Sequence, residues 1–358
     1  IAWLPTAKLI KRPPHVNSKF ILNGYEGKDD ALDYYDFSEN PKSINPPSHY
    51  IYSANNQPDS VFGVLYQGYY LPEFRAKRIV QLLEKEDSWD TEKMKEMITD
   101  GVSASYPAIA QEMVKVIEGQ NLELSQNQVK ALNLLKNWKG DHQLNSLAPT
   151  IYYKYLYHIL AGAMQDELGP EDFKSLVNTF VTRRSIPYLL KNEASLWWDD
   201  VNTEAKENRA DIFDQAFRKS VAELEQQWGA DPQQWKWQKV HTITHQHTLG
   251  RQGGWLGWFF NVGPLPINGG HEVINNLSFH FNETGLYPVR TGPSMRILID
   301  FDDIENTISV LPTGQSGWVM SQHYNDQAQM YADGQFRKQM MNEKEIKENS
   351  RKLVLKVK

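Results

Sequence analysis

Two adjacent asparagines, Asn55 and Asn56, are the residues of this sequence best suited to carbonyl chemistry. They follow residues 48–54, whose alternation of polar and apolar side chains predicts a strand, and they shortly precede Pro58. A side-chain amide carries an NH₂ group that can donate hydrogen bonds to a reacting carbonyl. Such donors stabilise the oxyanion of a tetrahedral intermediate. Asparagines close to a proline also shape turns, so one of the pair could be purely structural.

A cationic segment, Arg75-Ala-Lys-Arg78, follows at the start of a predicted helix. Taken alone, such a run is typical of a solvent-exposed helix face. Three further motifs occur in the last quarter of the chain: Gly292-Pro-Ser-Met-Arg296, Gly314-Gln-Ser-Gly317 and His323-Tyr-Asn-Asp-Gln327. The order of these motifs, more than any one of them, indicates a particular site.

The elements that must position these residues form three predicted regions. Residues 1–71 read as strands and loops that carry the asparagine motif, residues 72–228 as a helical insertion, and residues 229–358 as strands with a helix. Helix starts are indicated at Asp90 or Thr91, at Ser125 and at Pro170. In the last region we predict strands over Trp235–Thr248, Glu272–Phe281, Arg296–Phe301, Thr307–Leu311 and Leu353–Val357, and a helix over Gln322–Asp333.

Composition excludes several classes of function. The 358 residues are 40% hydrophobic with a mean hydropathy of −0.59, which is typical of a soluble globular protein, and no apolar run approaches the length of a membrane span. The absence of cysteine excludes disulfides, thiolate metal sites and a cysteine nucleophile. A net charge of −6 argues against a nucleic-acid partner, because phosphate binding requires concentrated Lys and Arg.

The ordered motifs resemble the penicillin acylase (penicillin amidase) family of N-terminal nucleophile hydrolases, over nearly the whole chain. The resemblance implies an α+β fold, an αββα sandwich of stacked antiparallel sheets that is incomplete here and carries a large helical insertion. It implies a periplasmic or secreted amidase that hydrolyses the linear amide bond of an N-acyl substrate. Penicillins, cephalosporin side chains and N-acyl-homoserine lactones are the substrate types of the family.

The resemblance also assigns roles to residues. It places the family's oxyanion-hole asparagine on Asn55 and the arginine that supports it on Arg75. The family nucleophile is the free N-terminal residue of the β subunit, usually Ser, and its own α-amino group serves as the base. Because Ile1 has no nucleophilic atom, we expect this chain to be the C-terminal portion of a β subunit and to be inactive alone.

The expected partners are therefore the upstream part of the β chain and an α subunit from the same precursor, together with the small-molecule substrate. No cofactor is expected for catalysis. The resemblance allows a structural calcium ion, of which one acidic ligand would fall near Asp59, but it assigns no metal ligands. The alternative function is that of a non-catalytic binding module, or an inert proteolytic remnant of a degenerate family member.

Other polar motifs are given structural interpretations. His241, His245 and His247 have metal-like spacing, but they share one face of a predicted strand and are interpreted as packing or cleft-lining residues. His49 and Ser48 are adjacent on a predicted strand and would point to opposite faces, so they do not form a catalytic pair. Gly314-Gln-Ser-Gly317 lacks the Gly-x-Ser-x-Gly pattern of a nucleophile elbow and is interpreted as a turn.

Overall fold

A computed structural model of the protein describes residues 1–60, 65–66 and 68–356, and the chain divides into two compact units, Ile1–Lys85 and Glu86–Lys358. The first unit contains two antiparallel ladders of two strands each. Strand β1 (Ala2–Trp3) pairs with β4 (Ser43–Ile44), and β2 (Ile10–Lys11) pairs with β3 (Asp33–Tyr34). A 3-10 helix (Phe37–Glu39) and helix α1 (Phe74–Leu83) lie in the same unit.

The strand predicted over residues 48–54 is wrong, since this segment runs as an irregular loop. Two asparagine-motif neighbours, Asn45 and His49, have positive φ values of 43° and 60°, a backbone conformation that interrupts a strand. The hydroxyl of Ser48 donates to the carbonyl of Tyr50 at 3.2 Å instead of facing His49. Residues 48–54 have the alternating pattern of a strand, but the backbone turns at His49 and again at Asn55.

The second unit opens with helices, whose described members up to residue 228 are α2 (Thr91–Ile98), α3 (Tyr106–Glu118), α4 (Gln126–Asn137), α5 (Ala148–Leu176), α6 (Phe180–Leu189) and α7 (Arg209–Trp228). The predicted helix starts are confirmed. Asp90 accepts a hydrogen bond from the Lys93 amide, and Ser125 forms a capping box with Gln128. Helical geometry breaks at Gly169, with φ of 71°, and resumes at Pro170.

Helix α5 lies at the centre of this helical part. Its first half is mainly apolar, and its two basic side chains, Lys154 and His158, are buried against Glu223. The residues of α5 that are at most 1% exposed include Ile151, Tyr152, Tyr153, Tyr155, Leu156, Ile159 and Leu160. Helices α4 and α7 pack against it. The central helix therefore supplies much of the core of this unit.

A buried group of aromatic rings and imidazoles continues the core beyond α5; we call it the aromatic-histidine cluster (Tyr106, Trp138, His142, Tyr153, Trp237, His241, His271, Phe279 and Tyr287). The Trp237 ring stacks on Tyr153 at 5.4 Å and on Tyr287 at 5.8 Å, and its indole N–H donates to the Gly269 carbonyl at 2.9 Å. Of the eleven tryptophans, four are buried: Trp138, Trp198, Trp235 and Trp237. Such aromatic contacts stabilise a core beyond simple area burial.

The remaining elements are α8 (Trp237–Val240), β5 (Thr242–His245), α9 (Gly254–Phe260), β6 (Val262–Pro266), β7 (Arg296–Leu298), β8 (Ile308–Val310), α10 (Ala328–Ala332), β9 (Arg337–Lys338) and α11 (Glu343–Asn349). Strands β5 and β6 pair antiparallel, and β7, β8 and β9 form an antiparallel sheet in that order. The strand prediction over Trp235–Thr248 is correct only for Thr242–His245.

The strand predicted over Glu272–Phe281 is wrong. Its first residue has φ of 53°, and the segment makes isolated bridges instead of a ladder. Residues 353–356 do not form the predicted strand, and Val357 lies outside the described residues. The α+β class is confirmed by the mixture of helices and small antiparallel sheets, whereas the three-region division at residues 71 and 228 stays a prediction. Among the described helices, none has the length and apolarity needed to cross a membrane.

Candidate active site

Asn55 sits at the turn of the loop that follows residues 48–54. Its φ of 60° places it in the left-handed region, which asparagine tolerates better than most side chains. Its backbone carbonyl accepts a hydrogen bond from the Leu71 amide at 2.8 Å, and its side chain is exposed. The backbone is therefore tied down while the amide group projects from the surface of the first unit.

Arg75 holds that side chain from the first turn of helix α1. One guanidinium nitrogen, Nη2, donates to Asn55 Oδ1 at 2.9 Å and to the Ala54 carbonyl at 2.8 Å. A cation in the first turn of a helix is disfavoured by the helix dipole, so its position there requires specific partners. Two consecutive residues of the loop supply them.

The contact with Arg75 fixes the orientation of the Asn55 amide. A guanidinium carries only donors, so the atom of Asn55 that faces it must be the carbonyl oxygen. The Asn55 NH₂ group consequently points away from Arg75, and it makes no hydrogen bond to another residue in the described part of the chain. An oriented, exposed and uncommitted amide donor is what a developing oxyanion requires.

Asn56 is engaged differently from its neighbour. Its Oδ1 accepts a hydrogen bond from the Ala54 amide at 3.1 Å, and its Nδ2 donates to the Gln57 carbonyl at 3.3 Å. Both ends of its amide therefore serve the turn itself, which is the structural role expected of one member of the pair. Of the two asparagines, Asn55 is the one whose donors face outward.

A cleft of about 440 Å³ borders the asparagine loop within the first unit. Its wall combines apolar and aromatic side chains with polar groups of the loop: Trp3, Tyr50, Ile51, Tyr52, Asn56, Pro58, Asp59 and Val80. The volume lies within the range of small-molecule sites. The Tyr50 hydroxyl donates to Glu84 Oε1 at 3.3 Å.

The two cleft tyrosines remain neutral hydrogen-bonding groups at physiological pH. Burial, and then the Glu84 carboxylate, raise the pKa of the Tyr50 hydroxyl above its usual value. Burial, followed by the charges of Asp59 and Glu73, raises the pKa of Tyr52. The cleft therefore offers phenol groups, which donate and accept, beside an aromatic surface.

The other sequence motifs are not brought into this site. Ser316 Oγ accepts from the Trp318 amide at 3.1 Å, and the Ser316 amide donates to the His323 carbonyl at 3.0 Å, so Gly314–Gly317 forms a turn. Arg296 is fully buried, donating to the Tyr331 carbonyl at 2.7 Å and to Asn275 at 2.8 Å. These motifs hold the second unit together locally.

The three histidines of metal-like spacing have separate environments. His241 donates from Nδ1 to the Tyr287 carbonyl at 2.7 Å, the His245 ring lies 6.4 Å from that of Tyr331, and His247 stacks on Phe260 at 4.9 Å. Within the described residues no group of three His, Cys, Asp or Glu side chains could hold a metal ion. Asp59 is exposed, and calcium ligands stay unassigned.

Two supports of the loop were not predicted from the sequence. They are the Ala54 carbonyl, which is the second partner of Arg75, and the Gln57 side chain, whose Nε2 donates to the Tyr66 carbonyl at 2.9 Å. The hydroxyl of Tyr66 in turn donates to the Glu39 carbonyl at 2.5 Å. The polar run Asn-Asn-Gln before Pro58 was the available signal, since such residues bond to nearby backbone.

Comparison with known proteins identifies the family of this chain. The model of the Penicillin amidase family matches residues 1–348. An acyl-homoserine lactone acylase, QuiP, of Pseudomonas aeruginosa is 27% identical over 342 residues, covering 87% of this chain and 40% of the relative. Its counterpart in Pseudomonas syringae pv. tomato is also 27% identical, over 330 residues, with 87% and 39% covered. The chain thus spans about two fifths of the length of these curated relatives.

Solved structures show the same fold. A thermostable penicillin G acylase from Alcaligenes faecalis superimposes with a TM-score of 0.61 at 16% sequence identity, and the match covers 99% of this chain and 65% of that one. At this identity the likeness concerns the fold alone. It extends over both compact units, so the fold prediction is confirmed along the chain.

Proposed function

Because this chain belongs to the penicillin amidase family, we propose that it is part of an amidase that hydrolyses the linear amide bond of an N-acyl substrate. The observation that carries the proposal is the pairing of Arg75 with Asn55, which leaves the Asn55 NH₂ group free. In the proposed reaction this group donates to the carbonyl oxygen as it becomes an oxyanion. Arg75 keeps the amide in the required orientation.

Several further parts of the proposal concern the complete protein. We propose that the nucleophile and the acyl pocket belong to an upstream part of the β chain and to an α subunit from one precursor, which the partial coverage of the relatives supports. The two relatives compared above are named acyl-homoserine lactone acylases. N-acyl-homoserine lactones are therefore the first substrates to test, followed by penicillins and cephalosporins, in a periplasmic or secreted setting.

The decisive experiment replaces Asn55 by Ala in the complete protein. We expect kcat to fall by roughly 10²–10³ with little change in KM, because the donor acts on the oxyanion and not on the ground-state carbonyl. Lys77→Ala is the matched control, since Lys77 lies on the same helix in an exposed pair with Glu73. Wild-type turnover by Asn55→Ala would remove Asn55 from the mechanism.

The isolated chain of 358 residues is expected to be inactive in the same assays. Turnover of a chromogenic N-acyl amide by the purified chain, abolished by Asn55→Ala, would contradict this expectation. The alternative function, a binding module, predicts instead that the complete protein binds N-acyl amides without hydrolysing them. Product analysis after long incubation separates the two functions.

A further inference from the structure

The loop that carries Asn55 is closed by a second side chain, that of Asn56. Asn56 Oδ1 accepts from the Ala54 amide at 3.1 Å, and the Ala54 carbonyl accepts from Arg75 at 2.8 Å. Both polar groups of the buried Ala54 residue are therefore taken. Asn55 lies between Ala54 and Asn56 in the chain, and the side chain of Asn56 is bonded back to Ala54. The backbone of Asn55 therefore has little freedom to leave the left-handed conformation.

A chain of contacts continues this support on the far side of Asn56. Asn56 Nδ2 donates to the Gln57 carbonyl at 3.3 Å, and Gln57 Nε2 donates to the Tyr66 carbonyl at 2.9 Å. The side chain of Tyr66 is only 5% exposed and packs edge-on against the Tyr35 ring at 5.2 Å. The asparagine turn is thereby connected to the packed interior of the first unit.

We propose that Asn56 is a positioning residue of the hydrolytic site, which acts through Asn55 by clamping the Ala54 peptide and so fixing where the Asn55 NH₂ group points. This inference rests on the proposed function. Asn56 touches no reacting atom in this role. Its acceptor oxygen is the essential part, because the bond to the Ala54 amide determines the backbone that carries Asn55.

The role makes a different demand from that of an oxyanion donor. A donor must keep its NH₂ group, whereas a clamp must keep its oxygen at the same distance from Ala54. Asn56→Asp keeps that oxygen and the side-chain shape but has no NH₂ group, and Asn56→Gln keeps the amide but adds one methylene to its reach. The two variants therefore test the two halves of the amide separately.

The experiment measures kcat and KM of the complete protein for three variants, Asn56→Ala, Asn56→Gln and Asn56→Asp, in high salt that screens the new carboxylate. We expect Asn56→Ala and Asn56→Gln to lower kcat by roughly 10- to 100-fold at unchanged KM, the scale of a misplaced catalytic group. Asn56→Asp should recover most of kcat. Thermal unfolding of each variant shows whether its loss of rate exceeds any loss of folded protein.

Two outcomes would overturn the inference: wild-type kcat in Asn56→Gln, or a loss in Asn56→Asp as large as that in Asn56→Ala. If Asn56→Ala does not fold, Asn56→Gln and Asn56→Asp still give opposite expectations. Asn55→Ala in the same assay separates this inference from the proposed function. An impaired Asn55→Ala with a normal Asn56→Gln refutes the clamp alone, whereas a normal Asn55→Ala refutes the function on which it rests.

Discussion

The dependence of Asn55 on Arg75 can be measured with a double-mutant cycle in the complete protein. Arg75→Met removes both Nη2 hydrogen bonds, at 2.8 and 2.9 Å, while keeping much of the apolar stem. Asn55→Ala alone should lower kcat by roughly 10²–10³, or about 2.7–4 kcal/mol. If Arg75 serves only to orient Asn55, its loss cannot cost more than the donor itself. The double variant should then be no slower than about 10²–10³ below wild type.

Independent contributions would give a different result. If Arg75→Met costs as much as Asn55→Ala and the two losses are independent, they would multiply to roughly 10⁴–10⁶ in the double variant, and the cycle distinguishes the two cases by the size of the Arg75→Met loss. The assay is initial-rate hydrolysis of a chromogenic N-acyl amide, with Lys77→Met as the control on the same helix. Multiplicative losses would refute the reasoning. Arg75→Met should also lower stability by about 1–3 kcal/mol, because the Ala54 carbonyl is buried and loses its donor.

Two further predictions concern the aromatic-histidine cluster. Burial lowers the pKa of His241 to about 3, below that of the unfolded chain, so protons bind the unfolded state first and the unfolding free energy should fall as pH drops below about 6.5. Burial also lowers the pKa values of His142 and His271, so urea titrations between pH 7 and 5 should show a loss from each of these imidazoles, and the loss in His241→Gln should be smaller than in the wild type by on the order of 2 kcal/mol. Trp237→Ala should lower the unfolding free energy by about 3–5 kcal/mol, because the ring is fully buried, and a change near that of an exposed residue such as Trp258 would contradict this.

The sequence predicted the helical part well because its signals are local. Ser125 with Gln128, and Asp90 with the Lys93 amide, satisfy helix-end groups within one turn. A strand needs a partner as well as a pattern, and that partner is distant in sequence. Residues 48–54 and Glu272–Phe281 have strand-like composition, but positive φ values at His49 and Glu272 direct the backbone away from a ladder.

The residues of the candidate site were predicted from a motif, and the structure adds the hydrogen bonds between them. A resemblance assigned Asn55 and Arg75, yet nothing in the spacing between them specified that one nitrogen would bind two successive loop residues. The side-chain amides of Asn55 and Asn56 have different hydrogen-bond partners because the backbone at residue 55 is left-handed. That conformation depends on contacts with Ala54 and Leu71, which no local pattern encodes.

The placement of Arg75 in the first turn of α1 determines where this protein can accept insertions and deletions. The connection between Asn56 and Glu73 is held to the asparagine turn at Tyr66 and at Leu71, so any change in its length has to leave both contacts in place. One residue added inside α1 ahead of Arg75 would instead rotate its side chain by about 100° around the helix axis and carry it off both carbonyl oxygens. The start of this helix therefore has to keep its register.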